Sequence, residues 1–211
     1  MLYQDTGVKF MLENKISDTR IADDNYLQNM NFESEVLTDV NISKIEFKSV
    51  QFVKCQFINC NFSKASFYKV VFEKCLFSGC IFIDSYWKES NILECKGDGS
   101  NFTQSYFKET VLNNSSFCYV NFANSVWDGC TISDSNCKEA SLSEVKLQKI
   151  KLKAVNLQSV DFFKTPLKGI DLSGCTINGI TASDTCSEFK GVKINAMQAA
   201  EIVQILGIKI I

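Results

Sequence analysis

Ten cysteines and no histidine set the limits on what chemistry this 211-residue chain can do. Without an imidazole, Ser-His-Asp and Cys-His nucleophiles are excluded, as are Cys2His2 zinc sites and the His-Glu-His zinc proteases. A four-cysteine zinc site would need paired thiolates, and no CxxC spacing occurs. Seven of the thiols, those of Cys55, Cys60, Cys75, Cys80, Cys95, Cys130 and Cys175, are instead spaced by multiples of five. Cys55, Cys75 and Cys95 lie 20 apart, as do Cys60 and Cys80. Such thiols read as small buried filler in a repeating fold, with a metal or disulfide as the sharper alternative. CKGDG around Gly97 is not followed by a helical pattern, so it reads as a distorted corner, not a phosphate loop. No cofactor motif or nucleophile-base pair is present, and no cofactor or metal is expected.

The element that must carry these residues has a period of five. From Leu27 to Ala182 the fifth positions run without insertion through 32 pentapeptides, of which 31 centres are apolar and Gly97 is the exception. Fourteen of the 17 phenylalanines sit on centres, as do Trp87 and Trp127. Neither a helix (3.6) nor a strand (2.0) keeps such a row on one side, so the period belongs to a larger unit. Two residues before each centre the side chain is mostly small or β-branched, as in Val50, Cys55, Cys60, Ala65, Ser85 and Ser90. In extended backbone these two positions face the same way, inward, while the polar residue between them faces water. The last two residues of each repeat suit a turn. Sides and corners that always bend the same way close into a solenoid.

Units such as CNFSK, SNFTQ and VNFAN resemble the pentapeptide-repeat family. That resemblance implies a right-handed quadrilateral β-helix, here an all-β solenoid of about eight coils ending in a short C-terminal α-helix. The expected organisation is an N-terminal cap or irregular first coil over 1–24, the repeats over 25–185, and a dimerising helix and tail over 186–211. In KINAMQAAEIVQILGIKII, Asn195 and Gln198 form a capping box and Gly207 suits the position after the helix. Gln198, Glu201 and Gln204 read as one narrow polar stripe. The remaining apolar circumference exceeds what one coil can cover. A two-fold partner is therefore expected on Met197, Ala200, Ile202, Val203, Ile205, Leu206, Ile208 and Ile210.

The segment Gly191-Val-Lys-Ile-Asn, then Gln198-Ala199, Leu206-Gly207-Ile208 and Ile210, resembles the C-terminus of Qnr-type quinolone-resistance proteins, nearest the chromosomal ones of Gram-positive bacteria. The resemblance implies a cytoplasmic, non-catalytic homodimer that binds DNA gyrase or topoisomerase IV as a DNA-like rod, inhibiting it or protecting it from fluoroquinolones. The unbroken register leaves no room for the sizeable loops that many Qnr proteins insert. A structural scaffold for an unrelated protein partner is the alternative. An ice-binding solenoid is a distant third, because the outward columns are mixed.

Charge adds detail. The net charge is −2, which argues against binding phosphate backbones by bulk electrostatics, and no direct nucleic-acid contact is expected. Assigned to four sides, the one holding Phe47, Phe67, Trp87 and Phe107 carries seven Lys and four acids, and the other three carry nine Lys and 13 acids. Glu33, Glu35, Asp39, Glu73, Glu94, Asp98, Asp134 and Glu139 fall near one shared corner, a candidate partner-binding stripe. No membrane contact is expected, since no run of 18 apolar residues occurs. The N-terminal MLYQDTGVKFMLENK lacks the layout of a secretory signal.

Overall fold

The five-residue period becomes a three-residue straight side plus a corner. A computed structural model describes residues 12–22 and 24–209. Along each side the centre is buried and its two neighbours face outward, as in Tyr26–Gln28, Asn31–Glu33 and Val36–Thr38. Each side pairs in parallel with the side 20 residues on, Leu27 against Phe47 and Phe47 against Phe67. Twenty residues divided into sides of five make a four-sided coil. Two sides form seven-stranded sheets and a third begins as a three-stranded sheet. The fourth is joined by single parallel bridges from Asn41↔Asn61 to Asp161↔Thr181.

The strand-bearing solenoid is shorter than the expected eight coils. Its longest sheet runs from Tyr26–Gln28 to Lys146–Gln148, six complete turns of 20 residues. Beyond Lys153 the coil goes on through isolated bridges, the last being Asp171↔Lys193. In that region ladder pairing thins to isolated single bridges.

Corners are made by a left-handed residue in every repeat but those ending at Gly174 and Asp184, among them Asn29, Ser34, Asp39, Lys44, Ser49 and Lys54, with φ between 53° and 63°. For a residue with a Cβ this conformation costs about 1–2 kcal/mol. The same residue's N–H offsets that cost by donating to the next coil: Asn29 to Lys48 O at 3.0 Å, Ser34 to Val53 O at 2.9 Å, Asp39 to Ile58 O at 2.9 Å. Asn41, Asn61, Asn101, Asn121, Asn136 and Asn156 add Asx turns, each Oδ1 accepting from the N–H two residues on.

Inside, rings stack along the axis and meet edge-on around it. Phe62 lies 4.7 Å from Phe82 and Phe82 lies 4.4 Å from Phe102, both nearly parallel, while Phe57 meets Phe62 at 75°. Both arrangements suit the aromatic quadrupole. Each buried indole finds its acceptor two residues earlier: Trp87 Nε1 donates to Ser85 Oγ at 2.8 Å and Trp127 Nε1 to Ser125 Oγ at 2.9 Å. Gly97 is not a distorted corner. Its N–H keeps the ladder, donating to Ser116 O at 2.8 Å. The space its missing side chain leaves is filled by the Phe117 ring from the coil above, which a Cβ at Gly97 would meet at 2.6 Å. Where the centres turn from Phe to Leu, an apolar void of about 20 Å³ remains among Trp127, Leu142, Leu147, Leu152 and Leu157.

Both ends are covered. Residues Leu12–Ile21 form helix α1, whose Leu12 and Ile16 join the core and whose Arg20 Nη2 donates to Asn41 O at 2.8 Å. The part of the expected cap before Leu12 lies outside the described residues. At the other end a single 3-10 turn, Ser187–Phe189, precedes helix α2, Ala196–Ile205.

Candidate partner-binding surfaces

Helix α2 starts on the capping box read from the sequence: Gln198 N–H donates to Asn195 Oδ1 and Asn195 N–H to Gln198 Oε1. Gln198, however, does not lie on a solvent stripe. It is 7% exposed, and its Nε2 donates to Leu172 O and Cys175 O, both at 2.8 Å. The amide thus supplies a donor to both carbonyls of the last coil, Leu172 O accepting also from Cys175 N–H at 2.9 Å. Glu201 accepts from Asn178 Nδ2 at 2.6 Å, and Ile202 and Ile205 pack on the core. The helix thus seats Gln198, Glu201, Ile202 and Ile205 on its own chain, while Gln204 is exposed. Met197, Ala200, Val203 and Leu206, three apart, form the opposite ridge. Met197 is 88% exposed, Leu206 52% and Ile208 55%. Ile210 lies outside the described residues.

The acidic residues separate into distinct environments. Glu35 occupies the inward small position and is 8% exposed. Glu33 pairs with Lys54 at 3.4 Å, Glu73 and Glu94 with Lys74 at 3.3 and 3.9 Å, and Glu139 with Lys138 at 3.5 Å. Asp98 accepts from Ser116 Oγ at 2.6 Å and Cys118 N–H at 2.8 Å. Asp39 and Asp134 stand at left-handed corners. The corner beside Glu94 and Asp134 is hollowed into a groove of about 660 Å³, floored by Ser115 and Ser135 and edged by Asn136 and Asn156. Only the small size of its floor residues signalled it in the sequence.

Cys55, Cys60, Cys75, Cys80, Cys95 and Cys130 are hydrogen-bond donors to the core backbone. Cys55 Sγ donates to Phe32 O at 3.5 Å, Cys75 to Phe52 O at 3.3 Å and Cys95 to Phe72 O at 3.5 Å, each reaching the centre carbonyl of the coil before. Ser90 and Ser105 do the same for Phe67 O and Phe82 O. Burial pushes the Cys130 thiol up to about 11 and that of Cys137 to about 12, which keeps them protonated and unreactive. All ten cysteines are free. Among the described residues no group of three or more Cys, Asp or Glu side chains could hold a metal ion, and no helix is long and apolar enough to cross a membrane.

A model for a pentapeptide repeat region matches residues 45–122, and one for eight copies of pentapeptide repeats matches residues 135–174. No curated protein sequence matches significantly. Among solved structures, a trypsin-treated variant of QnrB1, a plasmid-mediated fluoroquinolone resistance protein, aligns over 88% of this chain and 97% of its own at 20% identity and a TM-score of 0.38. Full-length QnrB1 aligns over 87% and 100% at 17% identity and a TM-score of 0.36. HetL, a pentapeptide repeat protein involved in heterocyst differentiation regulation from the cyanobacterium Nostoc sp. strain PCC 7120, aligns over 80% and 93% at 12% identity and a TM-score of 0.24. The unbroken five-residue register, its four-sided coil and both repeat matches place the chain in the pentapeptide-repeat family.

Proposed function

We propose that this protein binds DNA gyrase or topoisomerase IV in the cytoplasm, as a non-catalytic rod of duplex-like width, and thereby inhibits the enzyme or shields it from fluoroquinolones. The reading rests on the tail, where Gly191 to Asn195 and Leu206 to Ile210 follow the Qnr-type pattern. It is supported by the rod itself, whose coils advance roughly 4.8 Å each and carry Leu27 to Leu167 over about 34 Å. The exposed acids that would contact the enzyme are Glu33, Asp39, Glu73, Glu94, Asp98, Asp134 and Glu139; Glu35 is left to the core. Four of the seven share lysines, so shape contributes more than charge.

The observation that carries the quaternary part is the seating of α2. A terminal helix that turns Gln198 inward and leaves Met197 and Leu206 exposed and Ala200 and Val203 half-buried between them has an apolar ridge, which a second copy covers across a two-fold axis. Truncation after Lys193 therefore yields a monomer in sedimentation, and a persistent dimer would remove α2 from the interface. The functional test is supercoiling by purified gyrase with and without ciprofloxacin. Inhibition, or rescue from the drug, at micromolar protein is expected. Neither effect at that concentration would reject the reading.

A further inference from the structure

The two long sheets end inside the rod, at Lys146–Gln148 and Lys151–Lys153. Around the rod the centre and corner N–H groups of each coil donate to the next coil, as Phe117 does to Asn136 O at 2.7 Å, Gly129 to Gln148 O at 3.0 Å and Asp134 to Lys153 O at 2.9 Å. Among the described residues the equivalent N–H groups of Leu147, Lys149, Leu152 and Ala154 donate to no carbonyl. Bonding in the other direction fails as well. Lys146 N–H donates back to Ser125 O at 3.0 Å, but its counterpart one coil on is Pro166, which has no N–H. The other two sides stay bonded across the same seam, Leu157 N–H to Thr176 O at 2.7 Å and Phe162 N–H to Thr181 O at 2.9 Å. The seam is therefore a wedge, closed on two sides and unpaired on two. Beneath it Leu147, Ile150 and Leu152 are only half-buried, whereas the centres Phe107, Leu112 and Trp127 of the preceding coils are buried.

The rim of this wedge is cationic. Below it stand Lys146, Lys149, Lys151 and Lys153, all exposed. Above it stand Lys168, Lys190 and Lys193, exposed as well; Gly169 N–H donates to Gly191 O at 2.8 Å and Asp171 bridges Lys193, which keeps these lysines on the same two sides. None of the seven enters an ion pair among the described residues. The carboxylates nearby are Asp128, in register against Gln148, Asp134 at the far corner, and Asp171. Glu144 is held by Lys164 at 3.2 Å, and Glu188 is buried, accepting from Ser183 Oγ at 2.9 Å. Seven ammonium groups thus stand against three carboxylates outside ion pairs.

We propose that this wedge is a docking edge for an extended acidic segment of a partner protein, which adds as a strand along Lys146–Gln148 and Lys151–Lys153. Unpaired strand edges are completed by a backbone that carries both N–H and C=O at strand spacing, about 3.3 Å per residue. A phosphodiester chain offers acceptors alone. The lysines fix the sign of the incoming outward residues, since opposite charges in register stabilise a sheet. Leu147 and Leu152 select apolar residues at the alternate, inward positions, which extend the core stack by one layer. Pairing of this edge with the same edge of a second copy is opposed by like charge, the protection that lysine and proline give to exposed edges. The surface does not depend on the topoisomerase reading, because the probe is a peptide alone.

The test is fluorescence anisotropy of a labelled, end-capped peptide of alternating glutamate and valine, titrated with the full chain. Saturable binding is expected, and full N-methylation of the peptide backbone weakens it about tenfold or more. Lys146→Glu/Lys151→Glu/Lys153→Glu weakens it about tenfold or more, while Lys44→Glu/Lys64→Glu, at a distant corner, leaves it within about twofold. Thermal unfolding of each variant confirms that it is folded. Hydrogen exchange in the free chain should be fast at Leu147, Lys149, Leu152 and Ala154 and slow at Trp127, and the peptide should slow the first four. The proposal is overturned by absence of binding, by an N-methylated peptide that binds as well as its parent, by a triple variant that binds as the wild type does, or by protection of those four amides in the free chain. Tighter binding of labelled duplex DNA or of phosphatidylserine vesicles at equal charge concentration would overturn it too.

Discussion

Replacing Gly97 by alanine should destabilise the solenoid, although every other centre in the register from Leu27 to Ala182 carries an apolar side chain. On pattern alone the change looks favourable: a methyl group gains about 0.8 kcal/mol on burial, and restricting the unfolded chain adds about 0.4–1 kcal/mol. The added Cβ, however, would sit 2.6 Å from Phe117 Cε1 and 2.9 Å from its Cδ1. Phe117 is fully buried and cannot swing freely, because it abuts Phe102 at 6.1 Å and Phe122 at 6.2 Å. Overpacking of this kind costs about 1–3 kcal/mol in measured cores; with Phe117 locked in place the upper end applies, and about 1–2 kcal/mol of net destabilisation is expected after the two gains. Urea unfolding followed by circular dichroism reads it as a lower midpoint at unchanged slope. Phe117→Leu, which costs stability alone, should rescue the variant, so that the double substitution is less destabilised than the sum by about 1 kcal/mol. A Gly97→Ala protein as stable as the wild type, or additive behaviour in the cycle, would refute the idea that Phe117 occupies the glycine's space.

Other perturbations follow from the same core. Phe62→Ala removes a ring stacked on Phe82 and should cost about 3–5 kcal/mol; an unshifted urea midpoint would contradict the inward stack. Ser125→Ala leaves the Trp127 N–H buried without an acceptor, a loss of about 1–3 kcal/mol, and the loss should shrink when Trp127 is already phenylalanine. Glu188 is buried, which acts to raise its pKa. Hydrogen bonds from Ser183 Oγ and from the N–H groups of Lys164 and Ser183 outweigh this and hold it below the ordinary value of 4.5. A carboxylate with a depressed folded pKa stabilises at pH above its unfolded value, and that contribution is lost as pH falls through the folded one. Hydrogen exchange in the last coil should therefore accelerate below about pH 4.5, and Glu188→Gln should flatten that dependence; identical pH profiles for the two proteins would count against it.

What the sequence made legible was local and repeated. The inward row, the small position two residues before it and the capping box of Asn195 and Gln198 all follow from spacing, since each depends on neighbours within five residues. What it concealed depends on contacts between coils or across an end. Lys44, Ser49 and Lys54 take left-handed corners that their residue types do not favour, because the next coil's carbonyls reward the conformation. Gln198 reads as solvent-facing until the carbonyls of Leu172 and Cys175, 26 and 23 residues earlier, are placed beside its amide. Gly97 reads as a corner because the ring that replaces its side chain comes from a residue 20 positions on. Helix α1 was missed because LENKISDTRI buries only Leu12, Ile16 and Thr19, too few positions for a clear helical pattern. The groove beside Glu94 was signalled only by its small floor residues, because its walls come from residues 20 apart in the chain.

The claim on which the functional account rests is that the rod takes up the place of a duplex on a topoisomerase. Equilibrium binding of the labelled protein to gyrase, titrated with unlabelled linear DNA, measures this directly. Mutual displacement, with the apparent affinity for protein falling in proportion to bound DNA, is the predicted result. A gyrase that carries both ligands at once with unchanged affinities, or that fails to bind the protein, would contradict it.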